Sequence, residues 1–161
     1  MDKTARRLVL LMEPKANITS QSQETDIDVV SNEESLIRRI NSKHHVIFDQ
    51  NLGARRLSTK AFHASTDDKK MSVDLEQCIK NQGNDPAKYV TQPENIDGAV
   101  VFLAAIVRQK ELEVECAPVP DNPCHGNVFK HPNLGRLNKK QENHLLANCE
   151  WLVAIPGVRL R

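Results

Sequence analysis

The feature that most constrains this chain is an uninterrupted apolar run, Ala99 to Val107, nine residues long and introduced by Gly98. A helix needs ~20 apolar residues to cross a bilayer, so this run is expected to be buried in the protein's own core, with no membrane span. Periodicity alone cannot separate a buried strand from a buried helix here. Its β-branched content favours a strand, as does the neighbouring Leu112-Glu113-Val114-Glu115-Cys116, which alternates like a half-buried strand.

With 161 residues, 39% hydrophobic, the chain is long enough for one core that needs no metal or disulfide to hold it. Glu13 and Pro14 cut short the apolar stretch Leu8 to Met12, which disfavours an export signal. The four cysteines, Cys78, Cys116, Cys124 and Cys149, are therefore expected to be thiols of a cytoplasmic protein. Residues 1–30 read as a mobile arm or linker, since Lys15 to Asp28 is polar with almost no large apolar groups. A single domain is expected over 31–161.

Local signals fill in that domain. Ser31-x-x-Glu34 resembles a capping box and predicts a short helix over 33–41, although Leu36 to Ile40 also suits a strand. Val46-Ile47-Phe48 is strand-like, and Asn51-Leu52-Gly53 reads as a turn. Ser72 is expected to cap a helix from Val73 to Asn81, and Asp85-Pro86 to start a single helical turn through Tyr89. Pro118, Pro120 and Pro123 stiffen a loop, after which Gly126 to Lys130 returns as a strand. Asn138 with Gln141 marks the start of a final helix whose face is Leu145, Leu146, Cys149, Leu152 and Val153. On that helix His144 and Trp151 share the opposite side, where Trp151 either packs under another segment or anchors a protein partner. The expected class is α+β, a single domain with a small mixed or antiparallel sheet packed against a C-terminal helix.

Charge is unevenly distributed. Residues 36–66 carry six Lys and Arg against one acidic residue, Asp49. Arg38, Arg39, Arg55, Arg56, Ser58 and Thr59 are the candidate binding cluster for an anionic, phosphorylated ligand, because guanidinium forks supply charge and paired donors while hydroxyls complete the shell. A solvated basic face is the plain alternative. Nucleic acid is not favoured, since aromatics do not interleave with the basic residues.

The signatures of the well-marked enzyme classes are absent: no phosphate-loop, dinucleotide, metalloprotease or nucleophile-elbow motif occurs. No cofactor or metal is expected, because Cys116, Cys124, His125 and His131 lack the spacing of a zinc knuckle. His125, beside Asn122 and Cys124 in the proline-stiffened loop, is the candidate general acid or base.

Arg38 or Arg39, Ser58-Thr59 and Glu113-x-Glu115 follow the order of an arginine, a Ser/Thr strand and a Glu-x-Glu that resembles the scattered signature of ADP-ribosyltransferases. That resemblance implies dinucleotide positioning by arginine and serine, with a glutamate acting at the ribose. A second set, Leu36-Ile37-Arg38-Arg39-Ile40, Arg56-Leu57-Ser58-Thr59-Lys60-Ala61-Phe62, Met71-Ser72-Val73 and Asp121-Asn122-Pro123-Cys124-His125 with the Trp151 segment, resembles a family of small bacterial proteins to which no activity is attached. Three expectations result: a binding or accessory module for a phosphorylated ligand, a small enzyme acting on a nucleotide, NAD or RNA through His125, and a protein-interaction subunit such as an antitoxin or adaptor. An enzyme should gather Arg38 or Arg39, Ser58 and His125 into one concavity, whereas a binding module need not include His125.

Overall fold

A computed structural model describes residues 29–131 and 135–161; the expected arm over 1–30 lies almost wholly outside them. The apolar run does not remain one element. Gly98–Leu103 forms strand β5, and Ala104–Arg108 turns into the short helix α4. The split follows composition: Val100, Val101 and Phe102 suit a pleated, buried surface, whereas the alanines 104 and 105 suit a helix. Ala104 and Ala105 donate their N–H groups to the carbonyls of Glu34 and Asn32, which binds the new turn to the start of the domain.

Strand β5 pairs along six residues with β1, Ser35–Ile40, in antiparallel register from Ser35 opposite Leu103 to Ile40 opposite Gly98. The helix expected over 33–41 is thus corrected to a strand. Glu34, read as a capping residue, instead accepts the N–H of Gln77. Leu36 and Ile37 are both fully buried, and in a strand adjacent side chains enter opposite faces, so both faces of β1 are covered. Burial on two sides outweighs the local helix signal.

The same correction applies further on. Met71–Leu75 is strand β4, with Met71, Val73 and Leu75 buried in alternation, and only Glu76–Asn81 forms helix α2. Pro86–Val90 is helix α3, capped by Asp85 as expected. Leu112–Cys116 (β6) is the strand its alternation predicts, His125–Lys130 (β7) returns as a strand as expected, and the two pair antiparallel. The final helix α5 spans Lys139–Ala147 with the full Asn138/Gln141 capping box. It ends sooner than expected, and Glu150–Val153 becomes strand β8 on the outer side of β5.

The main sheet has six antiparallel strands in the order β6-β7-β4-β1-β5-β8. One face carries Leu36, Ile40, Val100 and Phe102 against Phe62 and the α5 residues Leu145 and Leu146. The opposite face packs Ile37 and Ala99 against Ile79, Val90 and Cys124, from α2, α3 and the proline loop. A second sheet holds the short helix Ser42–His45 (α1) close by and comprises β2 (Val46–Asp49), β3 (Ala54–Leu57) and β9 (Val158–Arg159). The β2–β3 turn contains Gly53 at φ +59°, the left-handed region that glycine enters without strain. This is an α+β single domain. No helix among the described residues is long and apolar enough to cross a membrane.

The expectation of four thiols is corrected. Cys78 on α2 and Cys124 on the proline loop form a disulfide across a Cα separation of 5.5 Å, a distance that suits the bond. Forty-six positions separate them in sequence, so only the packing of α2 against that loop brings them together. Cys149 is buried, and burial pushes its thiol up to about 11.

Candidate functional site

The site lies where the sheet is incomplete. β1 pairs with β5 over six residues but with β4 over two, Leu36 opposite Leu75 and Ile37 opposite Asp74. Beyond Ile37 the two strands no longer pair, and a backbone carbonyl at such a gap needs another partner. Arg38 supplies one. Its Nη1 donates to the Ser72 carbonyl at 2.8 Å and its Nε to the Ala61 carbonyl at 2.7 Å. Burial pushes this guanidinium down to about 10, against the pull of Asp74, so it remains charged at neutral pH. The fork has five N–H groups, and several stay available after these two bonds.

Arg39 is committed differently. Its Nε and Nη2 donate to Asp74 at 2.8 and 3.0 Å, a paired fork on a carboxylate that is almost wholly buried. Asn122 Nδ2 donates to the same carboxylate at 2.6 Å, while its Oδ1 accepts from the Tyr89 hydroxyl at 2.7 Å and the Cys124 N–H at 3.2 Å. The Arg39 guanidinium also sits over the Tyr89 ring, 5.9 Å from its centre. Burial, reinforced by Asp74, raises the Tyr89 phenol above its ordinary value. Arg39, Asp74, Asn122 and Tyr89 are thus each bonded within one network. Arg39 and Asp74 pair with one another, and Arg38, whose charge Asp74 also draws, makes no ion pair of its own among the described residues.

His125 starts β7 directly opposite Asp74 on β4. Its Nδ1 lies 2.7 Å from the Ala117 carbonyl, which can only accept, so Nδ1 bears the proton and Nε2 is left as the lone-pair nitrogen when the ring is neutral. Arg38, Arg39, Ser72, Asp74, Asn122 and His125 line one pocket of about 160 Å³. Pockets for drug-sized ligands run to roughly 300 Å³ and more, so this one takes a single small group.

The remaining expected residues lie elsewhere. Arg56 donates to Asp49 at 2.6 Å and to the Leu57 carbonyl, and the first of these bonds holds the Asp49 carboxyl below its usual range. Arg55 is exposed on β3. Ser58 is buried and caps the 3-10 turn Thr59–Phe62, and buried Thr59 accepts from Lys139. None of the four lines the pocket. Glu113 pairs with Arg108, and Glu115 with Lys70, both on the β6 edge of the sheet. Trp151 lies on β8, half-buried against the main core, and His144 donates from Nε2 to the Ile106 carbonyl at 3.0 Å. Phe48 and Leu52 are the exposed large apolar residues of the β2–β3 hairpin.

The pocket residues that sequence reasoning missed are Ser72 and Asp74, read there as the start of a helix. One signal was present: a lone carboxylate inside the apolar alternation Met71-Ser72-Val73-Asp74-Leu75. No protein-family model, no curated protein and no solved structure matches this chain.

Proposed function

We propose that the protein binds the terminal phosphoryl group of a small phosphorylated molecule in the pocket between β1 and β4. The observation that supports this is the meeting of Arg38 and His125 in one small concavity whose other ion pair is neutralised internally. Arg38 supplies charge and donors, the Ser72 hydroxyl a further donor, and His125 Nε2 a third once that ring is protonated. The pocket's size restricts this recognition to one phosphate-scale group, with the rest of the ligand outside.

Thermal unfolding in increasing inorganic phosphate, against chloride at equal ionic strength, tests the reading. At about 100 times the dissociation constant the folded state gains about 2.7 kcal/mol. The stabilisation should vanish in Arg38→Ala and persist in Arg55→Ala. Equal stabilisation by chloride, or retention in Arg38→Ala, overturns it.

The fixed tautomer favours a second reading, in which Nε2 moves a proton during turnover of a phosphate ester. His125→Gln should then keep phosphate binding and lose turnover. Hydrolysis of a phosphate ester at equal rates by both proteins rejects it.

A further inference from the structure

We propose that the Cys78–Cys124 disulfide undergoes exchange with a small thiol of the glutathione class, and that opening it disables the phosphate pocket; the second half rests on the reading above. The two sulfurs are unequally placed. Cys78 is half-buried and lines a groove of about 630 Å³ with Leu75, Gln77, Asn81 and Pro123. Cys124 is fully buried among Ile37, Ile79, Val90 and Ala99. An incoming thiolate reaches the Cys78 sulfur from the groove and not the Cys124 sulfur.

The step balances without an oxidant. The thiolate bonds to the Cys78 sulfur, the S–S bond breaks, and its electron pair passes to the Cys124 sulfur, which takes up the proton the small thiol released. The products are a mixed disulfide at Cys78 and a thiol at Cys124. The apolar surroundings of Cys124 favour the protonated thiol over the thiolate.

The consequence for the pocket is local. Cys124 stands between Asn122 and His125, which line that pocket, and its carbonyl accepts the Leu75 N–H at 2.9 Å. Its own N–H holds the Asn122 amide that bonds Asp74, and the next residue carries the imidazole tied to Ala117. The disulfide is the covalent tie between this segment and α2. Once it opens and the small thiol occupies the groove beside Pro123, no covalent tie to α2 remains, and Asn122 and His125 are held at the pocket by these hydrogen bonds, the Tyr89 bond to Asn122 and the pairing of His125 with β4.

The test uses the full chain, oxidised and folded, with reduced glutathione added under native conditions. Reduced glutathione cannot modify an ordinary thiol without an oxidant, so an adduct reports opening of the disulfide. We expect one adduct by intact mass, at Cys78 by peptide mapping, and phosphate binding weakened about tenfold, equivalent to about 1.4 kcal/mol. Circular dichroism of the adduct should stay native, and Cys78→Ser should show the same weakening. An adduct at Cys124, or none until the protein unfolds, overturns the exchange. An adduct at Cys78 with unchanged phosphate affinity overturns the coupling to the pocket. If oxidised wild type binds no phosphate, the anion reading and the coupling fall together, while the mass still decides the exchange.

Discussion

Among the described residues two Arg-Arg pairs lie on strands, and they meet different fates. Arg38-Arg39 lies on β1 in the middle of the six-stranded sheet, and both guanidiniums are bonded: Arg38 to the carbonyls of Ser72 on β4 and of Ala61 in the 3-10 turn, Arg39 to the buried Asp74 on β4. Arg55-Arg56 lies on β3 of the small outer sheet, where Arg56 pairs with Asp49 of the neighbouring strand and Arg55 faces solvent. In an extended strand adjacent side chains leave on opposite faces, so neither pair acts as a double positive charge. What separates them is the partner strand. β1 stops pairing with β4 after two residues, and the gap calls an arginine inward, whereas β3 pairs with β2 along its whole length.

The sharpest way to break this comparison is Asp74→Ala, which strands Arg39 in a half-buried site. Removing one partner of such a pair costs about 3–5 kcal/mol, read as a lowered urea midpoint. Arg38→Ala should come next. It leaves two carbonyls without their charged donor and should cost about 2–3 kcal/mol in the same assay, besides abolishing phosphate stabilisation.

A third prediction concerns pH. His45 on α1 accepts the Asn41 N–H at Nδ1, and burial, then Arg38, His44 and His63, lowers its pKa to about 4 against the counter-pull of Asp97. The folded state keeps this ring neutral while the unfolded chain takes up a proton below about 6.5. Stability is therefore expected to fall as pH drops from about 6.5 to about 4, and His45→Gln should flatten that part of the curve. The smallest effect is expected for Arg55→Ala, within about 0.5 kcal/mol of wild type, because that exposed side chain makes no hydrogen bond among the described residues and acts only as a charge near Asp97. A loss at Arg55 as large as that at Arg38 would erase the distinction between the two pairs.

Much of the fold was legible where a pattern was complete over a few residues. The alternation in Leu112 to Cys116 and the Asn138/Gln141 capping box each named their element. Failures came where two local signals competed. Ser31-x-x-Glu34 and Ser72 have the residue types of helix caps, but the first stands just before the buried strand β1 and Ser72 lies within β4, and tertiary burial outweighs a cap of about 1 kcal/mol. Of the candidate residues the sequence offers, Arg38, Arg39 and His125 line one pocket, while Arg55, Arg56, Ser58 and Thr59, grouped with the arginines for their charge and hydroxyls, do not. Asp74 and Ser72 were missed because they were placed in a helix.

By itself the sequence determined that this chain is an α+β domain, because short apolar runs of strand length, a capped helix and polar turns are properties of neighbouring residues. It also determined that arginine and a stiffly held histidine were present. Only the tertiary structure decided that Arg38 meets His125, that Arg39 is spent on Asp74, and that Cys78 reaches Cys124. Those pairings depend on strand order and on where the β1–β4 ladder stops, which the packing of the whole sheet sets and no local stretch encodes.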